Sequence, residues 1–221
     1  MSEYLACGNI MSDAVDFGDG SFSEFHLGGP AFFALTGARL FTKSCALVTR
    51  TGADYTDGYG AWLRLHGLPE DDVKVVNDRV TYSYLKYNPD GSYQSRSPLG
   101  LDLLGFQRST PEDIAEAAKP DTKAAYLAFA ADLTVWRKLA RFKEEKGFQM
   151  MWEIMPSGLS PEVYPKVREI SEMVEMFSLN SKEASQLLLI PREDDEGIIN
   201  ELMKLKFQMI FYRVGKRGAY V

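Results

Sequence analysis

Three short stretches of this 221-residue chain carry residue types that could do chemistry. In His26-Leu27-Gly28-Gly29-Pro30-Ala31, two glycines run straight into a proline and then into an apolar, helix-forming segment. Glycine allows positive φ and lets another group approach the backbone closely, and proline suits the first turn of a helix. The pattern predicts a tight turn at Gly28-Gly29 and a helix from Pro30 to about Thr42. The free N–H groups of the turn would face whatever sits in front of it. A lone Gly-Gly-Pro is more often a plain loop-to-helix junction, so the context has to decide. Asp13 is expected just past a short apolar strand, Tyr4 to Ile10. Asn180-Ser181-Lys182-Glu183 reads by itself as a helix cap with an acid in the first turn.

The elements that must position these residues alternate along the chain. Ser44 to Arg50 reads as a second buried strand, followed by a turn at Thr51-Gly52-Ala53-Asp54 and a short helix from Gly58 to His66 that Gly67 closes. Asp16 to Leu27, rich in Gly, Ser, Phe and Asp, reads as a hairpin or flap and not as core. Arg79 to Tyr87 and Ser92 to Ser97, joined at Asn88-Pro89-Asp90-Gly91, form the clearest hairpin in the chain. Its aromatic content calls for a cover: a sheet, a partner subunit or a ligand. From Thr110 onwards the strands 124–129, 149–154, 175–179 and 207–214 alternate with helices 110–119, 132–147, 160–174, 181–189 and 194–205. That alternation means an α/β fold with a mostly parallel sheet and helices on its faces. In such sheets ligands bind beyond the carboxyl ends of the strands. Asp13, the glycine turn and Asn180 could converge on one such crevice.

Composition narrows the function classes. The chain is 45% hydrophobic and 25% charged with net charge −6, enough for one sizeable core. It has no long basic run, so nucleic acid is not an expected partner. Neither a signal peptide nor a long apolar span is evident, so a cytoplasmic protein off the membrane is expected. Cys7 and Cys45 read as buried thiols, and two separated histidines, His26 and His66, argue against a histidine-rich metal site. There is no Gly-x-x-x-x-Gly-Lys-Ser/Thr, which excludes a P-loop protein. No Gly-x-Gly-x-x-Gly follows the first strand, which disfavours a dinucleotide dehydrogenase.

The order of the motifs resembles the ribokinase or PfkB family of carbohydrate kinases. Gly8-Asn9-Ile10-Met11-Ser12-Asp13, Gly28-Gly29-Pro30-Ala31 with its helix, Gly52-Ala53-Asp54, and Leu179-Asn180-Ser181-Lys182-Glu183-Ala184 carry the resemblance. The ending Val214-Gly215-Lys216-Arg217-Gly218-Ala219-Tyr220 is similar to the family's strand–Gly–x–x–Gly–strand hairpin. The resemblance implies a three-layer α/β/α sandwich with a mostly parallel central sheet and a small β lid. It implies one domain over 1–221, with lid segments at about 14–27 and 78–98. The implied activity is ATP-dependent phosphorylation of a hydroxyl on a sugar or nucleoside-like substrate, with ATP and Mg²⁺ as cofactors. By resemblance Asp13 accepts hydrogen bonds from substrate hydroxyls, a role suited to a carboxylate facing a vicinal diol. Gly28 and Gly29 lay their backbone against the sugar. Asn180 and Glu183 organise phosphate and Mg²⁺ through water, with no direct metal ligand. The lid, which would exclude water from phosphoryl transfer, often also forms the dimer contact, so a homodimer through the lid is expected.

The chain also departs from the family pattern. Phe33 stands where an asparagine is frequent, five residues after the first signature glycine, and Met11 where another is, two before the aspartate. Two lost amides make the pocket less suited to a simple pentose. Phe33 either stacks on a ring or belongs to the core, and helical spacing favours core. The family's catalytic base, an aspartate in Gly-Ala-Gly-Asp at a helix start that also forms the anion hole, is expected after Val221. The chain as written is therefore expected to transfer phosphate hardly at all. The alternative is a non-catalytic sugar-binding or regulatory remnant of the same fold.

Overall fold

The structure, a computed structural model, describes residues 2–88, 93–156 and 158–221. Contacts divide the chain into two compact units, Met1–Ala117 and Ala118–Val221.

In the first unit, β1 (Tyr4–Cys7) leads through Gly8-Asn9 into β2 (Met11–Val15). Then come β3 (His26–Gly28), α1 (Pro30–Arg39), β4 (Cys45–Gly52), α2 (Tyr59–Leu65), β5 (Val73–Asn77), β6 (Tyr82–Tyr87), β7 (Tyr93–Arg96), α3 (Leu101–Phe106) and α4 (Pro111–Ala117). The strands β1, β4 and β5 pair in parallel, in that order. β4 is buried along almost its whole length, as befits a strand covered on both faces. The helix α1 buries Ala31, Phe32 and Leu35 against Ile10, Leu47 and Leu63. Successive helical residues are rotated by about 100°, so Phe33 turns away from that seam and is 61% exposed. The expectation that helical spacing makes Phe33 core is overturned by this rotation.

A second sheet of four strands, in the order β3-β2-β6-β7, stands apart from the parallel one. β2 pairs antiparallel with β3 and in parallel with β6, and β6 pairs antiparallel with β7. Asp13 therefore lies within a strand, opposite His26 on one side and Ser83 on the other, and not in a loop past the first strand. The expected turn at Asn88-Pro89-Asp90-Gly91 lies outside the described residues apart from Asn88.

In the second unit, β8 (Ala124–Phe129), α5 (Leu133–Lys146), β9 (Gln149–Ile154), α6 (Tyr164–Ile170), β10 (Met176–Asn180), α7 (Ser181–Leu188), α8 (Asp195–Leu202), β11 (Met209–Arg213) and β12 (Ala219–Tyr220) follow one another. The sheet order is β8-β9-β10-β11-β12, parallel except for the final pair. α5 begins where the Asp132 side chain accepts from Thr134 N–H at 2.8 Å and ends at Gly147, whose φ of 82° favours glycine. Trp136 packs on Trp152, and Trp152 on Phe177, with ring centroids 4.9 and 4.7 Å apart. The helix expected over 160–174 is split. Pro161–Val163 forms a 3₁₀ turn, and α6 restarts with Pro165 in its first turn, where the missing N–H costs nothing. The α/β class with mostly parallel strands and a separate small β sheet is thus present.

Candidate acceptor and phosphate sites

The first group of expected site residues meets at the junction of β2, β3 and α1. Gly28 ends β3 and Gly29, with φ of 93°, caps α1. Gly29 has no room for a side chain, and one at Gly28 would displace the Asp13 carboxylate. A Cβ on Gly28 would lie 2.7 Å from Asp13 Oδ2, and one on Gly29 would lie 2.7 Å from Asn9 O and 2.8 Å from Met11 N. The glycine backbone thus lies directly against the Asp13 carboxylate. Ser83 Oγ donates to Asp13 Oδ1 at 2.5 Å. Burial pushes the Asp13 carboxyl up from its ordinary value, with the Ser83 bond pulling the other way. No cation among the described residues pairs with it. A half-buried carboxylate without a counter-charge keeps acceptor capacity for a hydroxyl-rich ligand. Phe33 Cζ lies 3.5 Å from where a Gly28 Cβ would be, so the exposed ring borders the same spot.

Two residues without an assigned role in the sequence hold this arrangement. Tyr59, the first residue of α2, is fully buried. Its hydroxyl accepts from Gly28 N–H and donates to Gly28 C=O, both at 3.1 Å. Burial pushes that phenol up to about 12, so it stays a donor at neutral pH. Asn9, 1% exposed, donates to Leu104 C=O at 2.5 Å and accepts from Arg108 Nε at 3.0 Å, fixing the loop on which Gly29 rests. Both contacts span long stretches of chain, so no local pattern announces them.

A cavity of about 480 Å³ is bordered by Phe25, Leu27, Tyr59, Tyr82, Tyr84 and Asp54. Side chains alternate across a sheet, and Ser12, Leu27 and Tyr82 share a register row adjacent to that of Asp13, His26 and Ser83. The cavity therefore lies on the face of the small sheet opposite Asp13.

The second group lies in the second unit. Asn180 caps α7, its Oδ1 accepting from Lys182 N–H (2.9 Å) and Glu183 N–H (3.0 Å) while Glu183 Oε2 accepts from Asn180 N–H (2.7 Å). This is a reciprocal capping box. Glu153 at the end of β9 is hydrogen-bonded by Arg213 at the end of β11, and the same guanidinium reaches Glu183 Oε2 at 3.8 Å. Burial pushes the Glu183 carboxyl up to about 7. Asn180 N–H and Arg213 oppose the rise, and the charge of Glu153 adds to it. The folded state therefore keeps a proton on Glu183 that the unfolded chain releases above about pH 4.5, so stability falls as pH climbs from about 4.5 to 7. Glu183→Gln, which keeps an oxygen for the capping box, is expected to flatten that slope, worth roughly 3 kcal/mol. Urea titrations of both proteins at pH 5 and pH 7.5 measure it.

The donor set does not suit a magnesium ion as it stands. The Asn180 oxygen and one Glu183 oxygen are taken by backbone N–H groups, and a guanidinium faces both carboxylates. Among the described residues no three His, Cys, Asp or Glu side chains cluster as a metal site. Nor is any described helix long and apolar enough to cross a membrane.

No protein-family model matches the chain, and no curated protein does. Solved structures do match it in fold. The chain is similar to a ribokinase from Giardia lamblia, with TM-score 0.72 and 15% identity, over 99% of this chain and 70% of that one. It is similar to a Burkholderia thailandensis nucleoside kinase in complex with inosine, with TM-score 0.68 and 16% identity, over 98% and 71%. It is similar too to a putative ribokinase II from E. coli in complex with ATP and Mg²⁺, with TM-score 0.73 and 14% identity, over 99% and 74%. The fold is therefore that of the ribokinase and PfkB proteins.

Proposed function

We propose that the chain binds a sugar or nucleoside through Asp13, Gly28 and Gly29 and serves phosphoryl transfer from ATP to one of its hydroxyls. The observation that carries this reading is the Asp13 carboxylate, held by Ser83 against the side-chain-free backbone of Gly28 and left without a cation. The neighbours that bind inosine or ATP have the same fold, which supports the ligand class. Phe33, exposed beside Gly28, offers a ring face that suits a nucleoside or a large sugar. Asn180 and Glu183, at the start of α7, keep the phosphate-organising role that the family resemblance implies. The buried, unpaired thiols of Cys7 and Cys45 fit a cytoplasmic setting.

Calorimetric titration with inosine, ribose and fructose tests the acceptor site. Asp13→Asn is expected to weaken binding of whichever ligand binds by roughly 10- to 100-fold, the worth of a charge-assisted hydrogen bond. Unchanged affinity would remove Asp13 from the site.

The small sheet also suits a lid that pairs with a second copy. Phe22 and Phe25 are about half exposed and pack on Tyr84 and Tyr82 at 4.8 and 5.5 Å, giving an aromatic face opposite Asp13. Sedimentation is expected to show a dimer that Phe25→Asp converts to a monomer; a monomer at every concentration would contradict it.

A further inference from the structure

At the carboxyl ends of β9, β10 and β11 a single guanidinium stands where two carboxylates face each other. The parallel register pairs Ser178 with Glu153 and Asn180 with Arg213, so all four side chains rise from one face of the sheet. Glu183 joins them from the first turn of α7. Arg213 hydrogen-bonds Glu153 and lies 3.8 Å from Glu183. The Glu153 and Glu183 side chains are 16% and 9% exposed, whereas that of Arg213 is 44% exposed. The carboxylates are thus shielded and the guanidinium covers them from the solvent side.

We infer that Arg213 is a built-in cation that takes the place of a divalent ion at the Glu153–Glu183 pair, so that this end of the second unit does not recruit one. An arginine suits the task because it cannot lose its proton and binds carboxylates through several N–H groups. An approaching divalent ion would meet a like charge in place of two open carboxylates. At about 4 Å, the repulsion between a divalent ion and a guanidinium weakens binding roughly 30-fold even at the dielectric constant of water. The inference stands on the second unit alone and is independent of the acceptor site proposed at Asp13.

The test is binding of Mn²⁺ to the full chain, followed by the loss of its free electron-resonance signal, with Mg²⁺ as competitor. The wild-type chain is expected to show no saturable binding that depends on Glu153 or Glu183. Arg213→Met, similar in length but uncharged, is expected to bind Mn²⁺ at least about 10-fold more tightly, and adding Glu183→Gln is expected to reverse the gain. Saturable Mn²⁺ binding by the wild type that Glu183→Gln abolishes would overturn the inference, whether or not Arg213→Met folds. A folded Arg213→Met with unchanged Mn²⁺ affinity would overturn it equally.

Discussion

Gly52→Ala is expected to destabilise the first unit by about 3 kcal/mol or more, the upper end of what overpacking costs. Gly52 closes β4 where Arg79-Val80 crosses it. A Cβ there would lie 2.0 Å from Arg79 C and 2.4 Å from Val80 N. Both are backbone atoms, so no rotamer change relieves the overlap. The crossing is held by Asp54, whose Oδ1 accepts from Val80 N–H at 2.6 Å and whose own N–H donates to Asp78 C=O at 3.3 Å. Pushing the strands apart would shift Thr81 and then Ser83, the residue that holds Asp13. The variant should therefore lose stability and acceptor affinity together. In a chain of this length, 3 kcal/mol corresponds to a melting temperature lower by roughly 6–12 °C. Calorimetry showing a shift under 2 °C would mean the two backbones separate easily.

Asp113→Ala is expected to cost about 3 kcal/mol, since it removes the buried partner of two partly exposed cations, Arg50 and Lys74, and with it the cap of α4. Asp113, 4% exposed, accepts from Arg50 Nε at 2.7 Å and pairs with Lys74 Nζ at 2.9 Å. It also accepts from Thr110 N–H at 2.8 Å while Thr110 Oγ1 accepts from Asp113 N–H, closing the start of α4. Burial pushes this carboxyl up, but the bonds from Arg50, Thr110 N–H and Lys74 together hold it far below the usual range. A depressed folded value means that the stabilisation is complete above the unfolded value of about 3.9 and is lost as pH falls below it. Asp113→Asn, which keeps the cap and loses the charge, should therefore differ from wild type most at neutral pH and least at pH 2. Chemical denaturation at both pH values measures this; an equal difference at both would assign the loss to packing.

How much the sequence discloses depends on how local each feature is. β8, α5 and β9 can be delimited to within a residue or so, because buried strands read as apolar runs and α5 carries its own signals, Asp132 and Gly147. The start of α1 at Pro30 and the Asn180 cap are equally local, but Gly28 ends β3 and gives its N–H to Tyr59, so the expected tight turn with free N–H groups is not formed. β2 is not. Met-Ser-Asp-Ala-Val alternates weakly, and what makes it a strand is parallel pairing with β6, some seventy residues on. Asp13 therefore looks like a loop residue until the partner strand is known. α3 is short, has no buried residue and begins after Gly100 with φ of 83°, so no apolar stripe marks it. The bonds of Tyr59 to Gly28, and of Arg213 to Glu153 and Glu183, join residues 30 to 60 positions apart. Their chemistry becomes visible only once the strand register is known.

The most direct test of the acceptor site is a ¹⁵N–¹H correlation spectrum of the protein with saturating inosine or sugar. The arrangement predicts that the largest shifts fall on the Gly28, Gly29 and Ser83 amides, with a matching change at the Asp13 carboxyl carbon. Shifts confined to Tyr82, Tyr84 and Leu27, on the opposite face of the small sheet, would contradict it and move the ligand to the aromatic cavity.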